Sequence, residues 1–539
     1  MKLFKNGKIY IERESFAEAM IIEDNRIIKV GTSNECFNVF KGESVVDLKG
    51  QTVLPGLIDS HLHFLMTAEY LSLLPITDVS SMKELIERCQ THIEENELTK
   101  DSVLYTEGWN HTAFTDEKRM PNRFDLDQAS AEVPIVLVRV DRHVMSLNTA
   151  ALNYFDITGK TTVANGGEII KDESGEPTGI LTENAVDLVK AKLPRKTKAE
   201  KKALLIDTMK LANQVGLTSV HTNDAKDETI EDTLKLYEEL ENEQLLTIRF
   251  YQQIWFNDGK YLSDFLNSSH AFHQGSRWNK VGPIKFFIDG TLGSRTAALR
   301  APYSDDPTTR GMLTKSQETL TKEVKSAVDH GFQVIVHGIG DRGIETILNA
   351  YDAALKGLPN TLRLGINHMQ ITGHDLIERV ADKGYLTYVQ PVFLDDDMPI
   401  IHDRIGEERA NTSYLFQTMA KKGIRQSFSS DAPIVSFNPF HNIQCAVTRN
   451  RLEFTEAEPY LPSEAVDIYS AVDAYTYEGA YASFEESDKG RLKEGYLADF
   501  IILDKDIFTC EARQIKTIKV TETYVDGDSV YSVGEADEK

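Results

Sequence analysis

At 539 residues, with 41% hydrophobic and 27% charged residues, the chain has ordinary globular composition but is too long for one core, so a large domain with satellites is expected. A formal net charge of −25 argues against a nucleic-acid backbone or an anionic membrane surface as partner. Scattered cysteines (Cys36, Cys89, Cys445, Cys510), an amino terminus without a signal-peptide core, and no run near the ~18 apolar residues of a membrane span predict a reduced, cytoplasmic protein.

The first fifty-odd residues read as short strands, Lys8–Ile11, Ala19–Ile22, Arg26–Val30 and Ser44–Leu48, separated by turn signals. Strands Asp499–Leu503 and Lys519–Val525 lie at the other end, so the two termini are expected to build one β domain. Between them strand and helix alternate. A strand over Val53–His61 ends in His61-Leu-His63, whose two imidazoles share one side of an extended segment. Well over a hundred residues then pass before the capping box Thr197–Glu200 opens an amphipathic helix that Gly216 suits as C′. That stretch, with Trp109, strand-like Val133–Val140 and His143, reads as an inserted subdomain over the mouth of the fold. Strands follow at Leu217–His221, Leu246–Trp255, Pro283–Asp289, Phe332–His337, Leu364–His368, Tyr385–Gln390 and Ile424–Asp431, with helices between them, the last at Thr412–Lys422. Eight strands in this alternation predict an α/β fold, a (β/α)₈ TIM barrel.

Barrel chemistry sits at the carboxyl ends of the strands. Those ends carry His61 and His63, His221, His337, His368 and Asp431, and Lys285 lies within the fourth strand. Imidazoles and a carboxylate on one rim suit a divalent ion. Coordination lowers the pKa of water towards ~7, and Asp431 could ligate an ion, accept the water's proton and pass it to a leaving amine. Lys285 is a cation among apolar neighbours in Gly282-Pro-Ile-Lys-Phe-Phe-Ile-Asp-Gly290. Burial favours its neutral amine, which can add carbon dioxide to form a metal-bridging carbamate. The alternative is a buried pair with Asp289.

The histidine pattern, with Asp289-Gly-Thr-Leu-Gly-Ser-Arg-Thr-Ala297, His337-Gly-Ile-Gly-Asp-Arg342, Asn367-His-Met-Gln370 and Ser430-Asp-Ala-Pro433, resembles the amidohydrolase superfamily. Within it the chain is similar to amidohydrolase family 3, the branch that includes N-substituted formamide deformylases. The resemblance runs nearly end to end, includes Gly490–Asp499, and implies residues 1–55 plus 490–535 as a β-sandwich, 56–489 as the barrel and about 70–190 as the insertion. It implies His61, His63, Lys285, His337, His368 and Asp431 as ligands to one or two divalent ions of zinc type. The expected activity is hydrolysis of an amide-type, non-peptide C–N bond of a small molecule by metal-activated hydroxide, with Asp431 as proton shuttle. The oligomeric state is open, a homo-oligomer being one option. The rival readings are a mononuclear deaminase of a cyclic amidine and a non-catalytic regulatory protein on the same scaffold. Trp109, His143 and Arg295 are candidate substrate contacts, against packing of the insertion for the first two and a loop-tying salt bridge for Arg295. His221 reads as core or as support for a ligand.

Overall fold

Eight parallel strands follow one another in a single sheet in chain order. They are β1 (Leu57–Leu62), β2 (Leu217–Thr222), β3 (Arg249–Trp255), β4 (Asn279–Phe287), β5 (Val334–Gly338), β6 (Gly365–His368), β7 (Leu386–Val389) and β8 (Gln426–Phe428). Helices alternate with them: α1 (Lys198–Gln214), α2 (Ile230–Asn242), α3 (Gly259–Leu266), α4 (Gln317–Asp329), α5 (Asp341–Leu355), α6 (His374–Lys383), α7 (Phe416–Lys421) and, after β8, α8 (Pro439–Thr448). Strands β1, β2 and β5 to β8 are buried at every position, as expected of parallel strands covered on both faces. This is a (β/α)₈ barrel. The computed structural model describes residues 1–163, 166–453 and 458–536.

The barrel closes without a ladder between β8 and β1. Ser60 Oγ donates to Phe428 O (2.9 Å), Asp431 N to His61 O (2.9 Å) and His63 N to Ala432 O (2.8 Å). Because closure runs through the backbone of His61, His63 and Asp431, it also fixes where these side chains meet.

The expected strand Val53–His61 is in fact two strands in different sheets. Thr52–Pro55 belongs to a mixed β assembly, parallel to Lys8–Glu12 and antiparallel to Phe500–Leu503, and β1 starts the barrel after Gly56. A side chain at Gly56 would collide with Thr218, 2.2 Å from the position of its Cβ, so the crossing needs glycine. The assembly holds a six-stranded sheet in the order Asp528–Ser532, Val520–Val525, Phe500–Leu503, Thr52–Pro55, Lys8–Glu12, Ser15–Ala17. A four-stranded sheet is ordered Arg26–Gly31, Ala19–Glu23, Lys2–Lys5, Ser44–Asp47. Thr52–Pro55 pairs with Phe500–Leu503, so both ends of the chain share a sheet. Phe4, Phe500 and Tyr524 sit in its core, the last two stacked at 4.4 Å.

Helix α1 begins with the expected capping box: Thr197 N and Oγ1 donate to Glu200, and Glu200 N donates back to Thr197 Oγ1. Gly216 follows the helix at φ +83°.

Residues Ala68–Leu204 form a compact unit of their own, distinct from Met1–Thr67 with Leu205–Lys539. Its five-stranded sheet runs Gly167–Lys171, Pro177–Glu183, Val144–Leu147, Ile135–Arg139, Leu104–Trp109. Successive side chains of Ile135–Arg139 enter two cores: Ile135 and Leu137 pack with Trp109 and Phe114, Val136 and Val138 with Met145 and Leu181. No helix among the described residues is long and apolar enough to cross a membrane.

Candidate metal centre

His61 and His63, at and just past the end of β1, face Asp431, just past β8. Asp431 Oδ1 is 3.3 Å from His61 Nε2 and 3.5 Å from His63 Nε2, and one ligand atom from each of the three lies within 4.8 Å of the others. All three side chains are buried. His368 at the end of β6 adds its ring 6.1 Å from that of His61, and His337 on β5 stands 4.3 Å from His368. His368 and Asp431 adopt φ of 76° and 58°, a left-handed backbone held by the surrounding packing.

Each imidazole has one nitrogen committed to an oxygen that can only accept. His61 Nδ1 donates to Gln253 Oε1 (2.6 Å), His63 Nδ1 to Asn223 O (2.8 Å), His368 Nδ1 to Gln390 Oε1 (2.8 Å) and His337 Nε2 to Gly290 O (3.1 Å). The glutamines are oriented in turn, with Gln253 Nε2 on Ser60 O and Gln390 Nε2 on Tyr388 O and Ser429 Oγ. The other nitrogen of each ring therefore carries a lone pair, as ligand histidines supported by outer partners do. Burial, aided by the charge of Lys285, pushes His61 down to about 3, and burial pushes His368 down to about 4.

Lys285 is completely buried on β4, and its Nζ has no hydrogen-bond partner. Burial pushes it down to about 7 against the pull of Asp431, and its charge is felt by His61, His337 and His368. The pairing with Asp289 does not occur. Asp289 instead accepts from the amides of Ala298, Ile339 and Gly340, at 2.8 to 3.1 Å. An orphaned buried amine amid oriented imidazoles fits a divalent-metal donor set.

The profile of the amidohydrolase family matches residues 44–531. The chain belongs to the amidohydrolase family. Relatives of this amidohydrolase include YtcJ of Bacillus subtilis, 31% identical over 98% of this chain and 99% of its own. An N-substituted formamide deformylase of Arthrobacter pascens is 27% identical over 96% of this chain and 95% of its own. Among solved structures, an uncharacterized metal-dependent hydrolase from Pyrococcus furiosus is 27% identical and superposes with a TM-score of 0.78 over 94% of this chain and 100% of that one.

Arg295 forks onto Asp305 with Nε (3.0 Å) and Nη2 (2.8 Å), so its guanidinium ties down the loop after β4. Trp109 is fully buried in a core of the Ala68–Leu204 unit, and His143 is exposed there, bonded to Glu183 (2.8 Å). His221 is buried beside the ring of Tyr251 (5.0 Å) with Nε2 unpartnered, and burial pushes it down to about 3. Asp341 accepts from the amides of Arg300 and Arg342 at the start of α5, a structural task. Sequence reasoning missed Gln253, Gln390 and Asp59. Asp59 is buried, accepts from His61 N and Ser430 N, and burial raises it to about 7. Its one sequence signal is its place two residues before His61.

Proposed function

We propose that this amidohydrolase uses a divalent metal to cleave an amide-type, non-peptide C–N bond of a small molecule. His61, His63, Lys285, His337, His368 and Asp431 would hold the metal, one or two ions of zinc type, with Lys285 as a carbamate. We also propose residues 1–55 and 490–535 as one composite domain. The observation that carries the reading is the buried, unpartnered Nζ of Lys285 among four imidazoles whose second nitrogens are all committed. When bound, the metal would supply Lewis acidity, polarising a carbonyl and acidifying water.

The chain's own residues set the proton path. Asp431 Oδ1 faces His61 and His63, which leaves Oδ2 to take the proton of the attacking water and deliver it to the departing nitrogen. Gln253 and Gln390 hold the rings of His61 and His368 so that their lone pairs stay aimed inward. Elemental analysis and amine release from a panel of N-substituted formamides and acetamides test this together. One or two metal equivalents with turnover of at least one member are expected. Much less than one equivalent after reconstitution would end the reading.

A further inference from the structure

Three aromatic rings meet the imidazoles from three different strand ends. Trp255, at the end of β3, lies 6.3 Å from His63. Phe287, at the end of β4, lies 4.6 Å from Trp255, 5.0 Å from His337 and 4.2 Å from Lys285 Nζ. Phe393, in the turn Pro391–Phe393 after β7, stacks on His368 at 6.0 Å with 14° between planes. The ligand side chains are buried, whereas all three rings keep part of their surface in solvent. Apolar faces left open around a polar centre are where a substrate's apolar part gains most from leaving water.

The indole of Trp255 is held in place. Its Nε1 donates to Asn257 Oδ1 (3.0 Å) and its backbone N to Ala225 O (2.8 Å), while Lys226 Nζ sits 4.0 Å over the ring. Among the described residues no carboxylate lies within ion-pair distance of Lys226. The ammonium of Lys226 contributes a positive field at the ring, which a second cation stacked there would have to meet.

We propose that Trp255, Phe287 and Phe393 form an aryl-binding collar and that Lys226 filters charge at it. The substrates are then amides with a planar apolar substituent that is neutral or anionic, and cationic ones are rejected. The inference rests on the metal-dependent hydrolase reading above. Trp255 is assigned as a specificity-determining residue, not as a group that carries protons.

Calorimetric titration of the metal-loaded enzyme with three hydroxamates sharing one chelating head tests it without turnover: acetohydroxamate, benzohydroxamate and the cationic 4-(aminomethyl)benzohydroxamate. Benzohydroxamate should bind about tenfold tighter than acetohydroxamate, and the cationic probe about threefold or more weaker than benzohydroxamate. Trp255→Leu, or Phe393→Leu if the first does not fold, should bring the first ratio to within about twofold with acetohydroxamate affinity and metal content kept. Lys226→Met should erase the second ratio. Acetohydroxamate binding without any aryl preference overturns the collar alone. A cationic probe that binds as well as benzohydroxamate overturns the filter. Failure of every hydroxamate to bind the metal-loaded enzyme overturns the open metal site, and the collar with it.

Discussion

Arg249 on β3 forks onto Asp499, the residue before the strand Phe500–Leu503, with Nε 2.7 Å from Oδ2 and Nη2 2.8 Å from Oδ1, both side chains out of solvent. Arg249 Nη2 also reaches Asp526 (3.0 Å), and Gly56 N donates to Asp499 O (2.9 Å) at the point where the chain enters the barrel. One buried cation thus joins the third barrel strand to the carboxyl-terminal strands. Removing one partner strands a buried charge, which costs about 3–5 kcal/mol. Arg249→Met should lose that much in urea unfolding, and Arg249→Met with Asp499→Leu should recover part of it. A single variant within about 0.5 kcal/mol of wild type would show that the pair carries no structural load.

The glutamines behind the centre should matter to metal retention more than to folding. Gln253 and Gln390 touch His61 and His368 through Nδ1, away from the lone pairs. Gln253→Leu and Gln390→Leu free their rings to turn and should weaken metal affinity about 10–100-fold in competition with a chelator. Unchanged retention in both would mean that packing alone orients the histidines.

The site's histidines were legible in the sequence because parallel strands display their polar residues at one end. Runs such as Gln333-Val-Ile-Val-His337 read the same in one dimension as in three. The split at Gly56 was not, since continuous apolar character hides a change of sheet when no turn intervenes. Lys285 and Asp289 are close in sequence, but Asp289 lies past the end of β4 and its carboxylate is taken by the amides of Ala298, Ile339 and Gly340, partners that no local pattern reveals. Gln253 and Gln390 read as ordinary polar residues because their partners lie 192 and 22 positions away. Pro439 opens α8 behind the Asn438 cap, where its missing N–H costs nothing. The closure that brings Asp431 to His61 joins segments from opposite ends of the barrel and leaves no local pattern.

Acid should weaken the protein through Glu485. This partly buried carboxylate lies 2.6 Å from Lys280 and 2.7 Å from Lys489, whose ammonium also reaches Ser219 Oγ (3.1 Å). Burial works to raise Glu485, but the two ammonium groups outweigh it and hold it far below the usual carboxylate range. Burial outweighs the same contact at Lys489 and lowers it, so the favourable direction belongs to Glu485, which faces both cations. A folded pKa below the unfolded value of about 4.3 gives stability that is full above that value and lost as pH falls below it. Glu485→Gln should cost about 3 kcal/mol at pH 7 and flatten the loss of stability below about pH 4.5, measured by urea unfolding across pH. An unchanged slope would remove Glu485 from the acid response.

Asp431→Asn should separate holding from chemistry. Asn tolerates the left-handed backbone at this position better than most residues, so the hydrogen bond from residue 431 N to His61 O, and with it barrel closure, should persist. The amide keeps one oxygen to face His61 and His63 but cannot take a proton from water. If Asp431 carries that proton, kcat should fall by at least about 10²-fold, while metal content falls much less than in His61→Ala. Benzohydroxamate should still bind, because its head meets the metal and its ring the aromatic side chains. Near-full turnover in the Asn variant would remove Asp431 from the proton path. Loss of metal equal to that of His61→Ala would make ligation its main task, and the proton would then need another carrier among the buried carboxylates beside it, with Asp59, one hydrogen bond from Ser430 N, the first to be replaced.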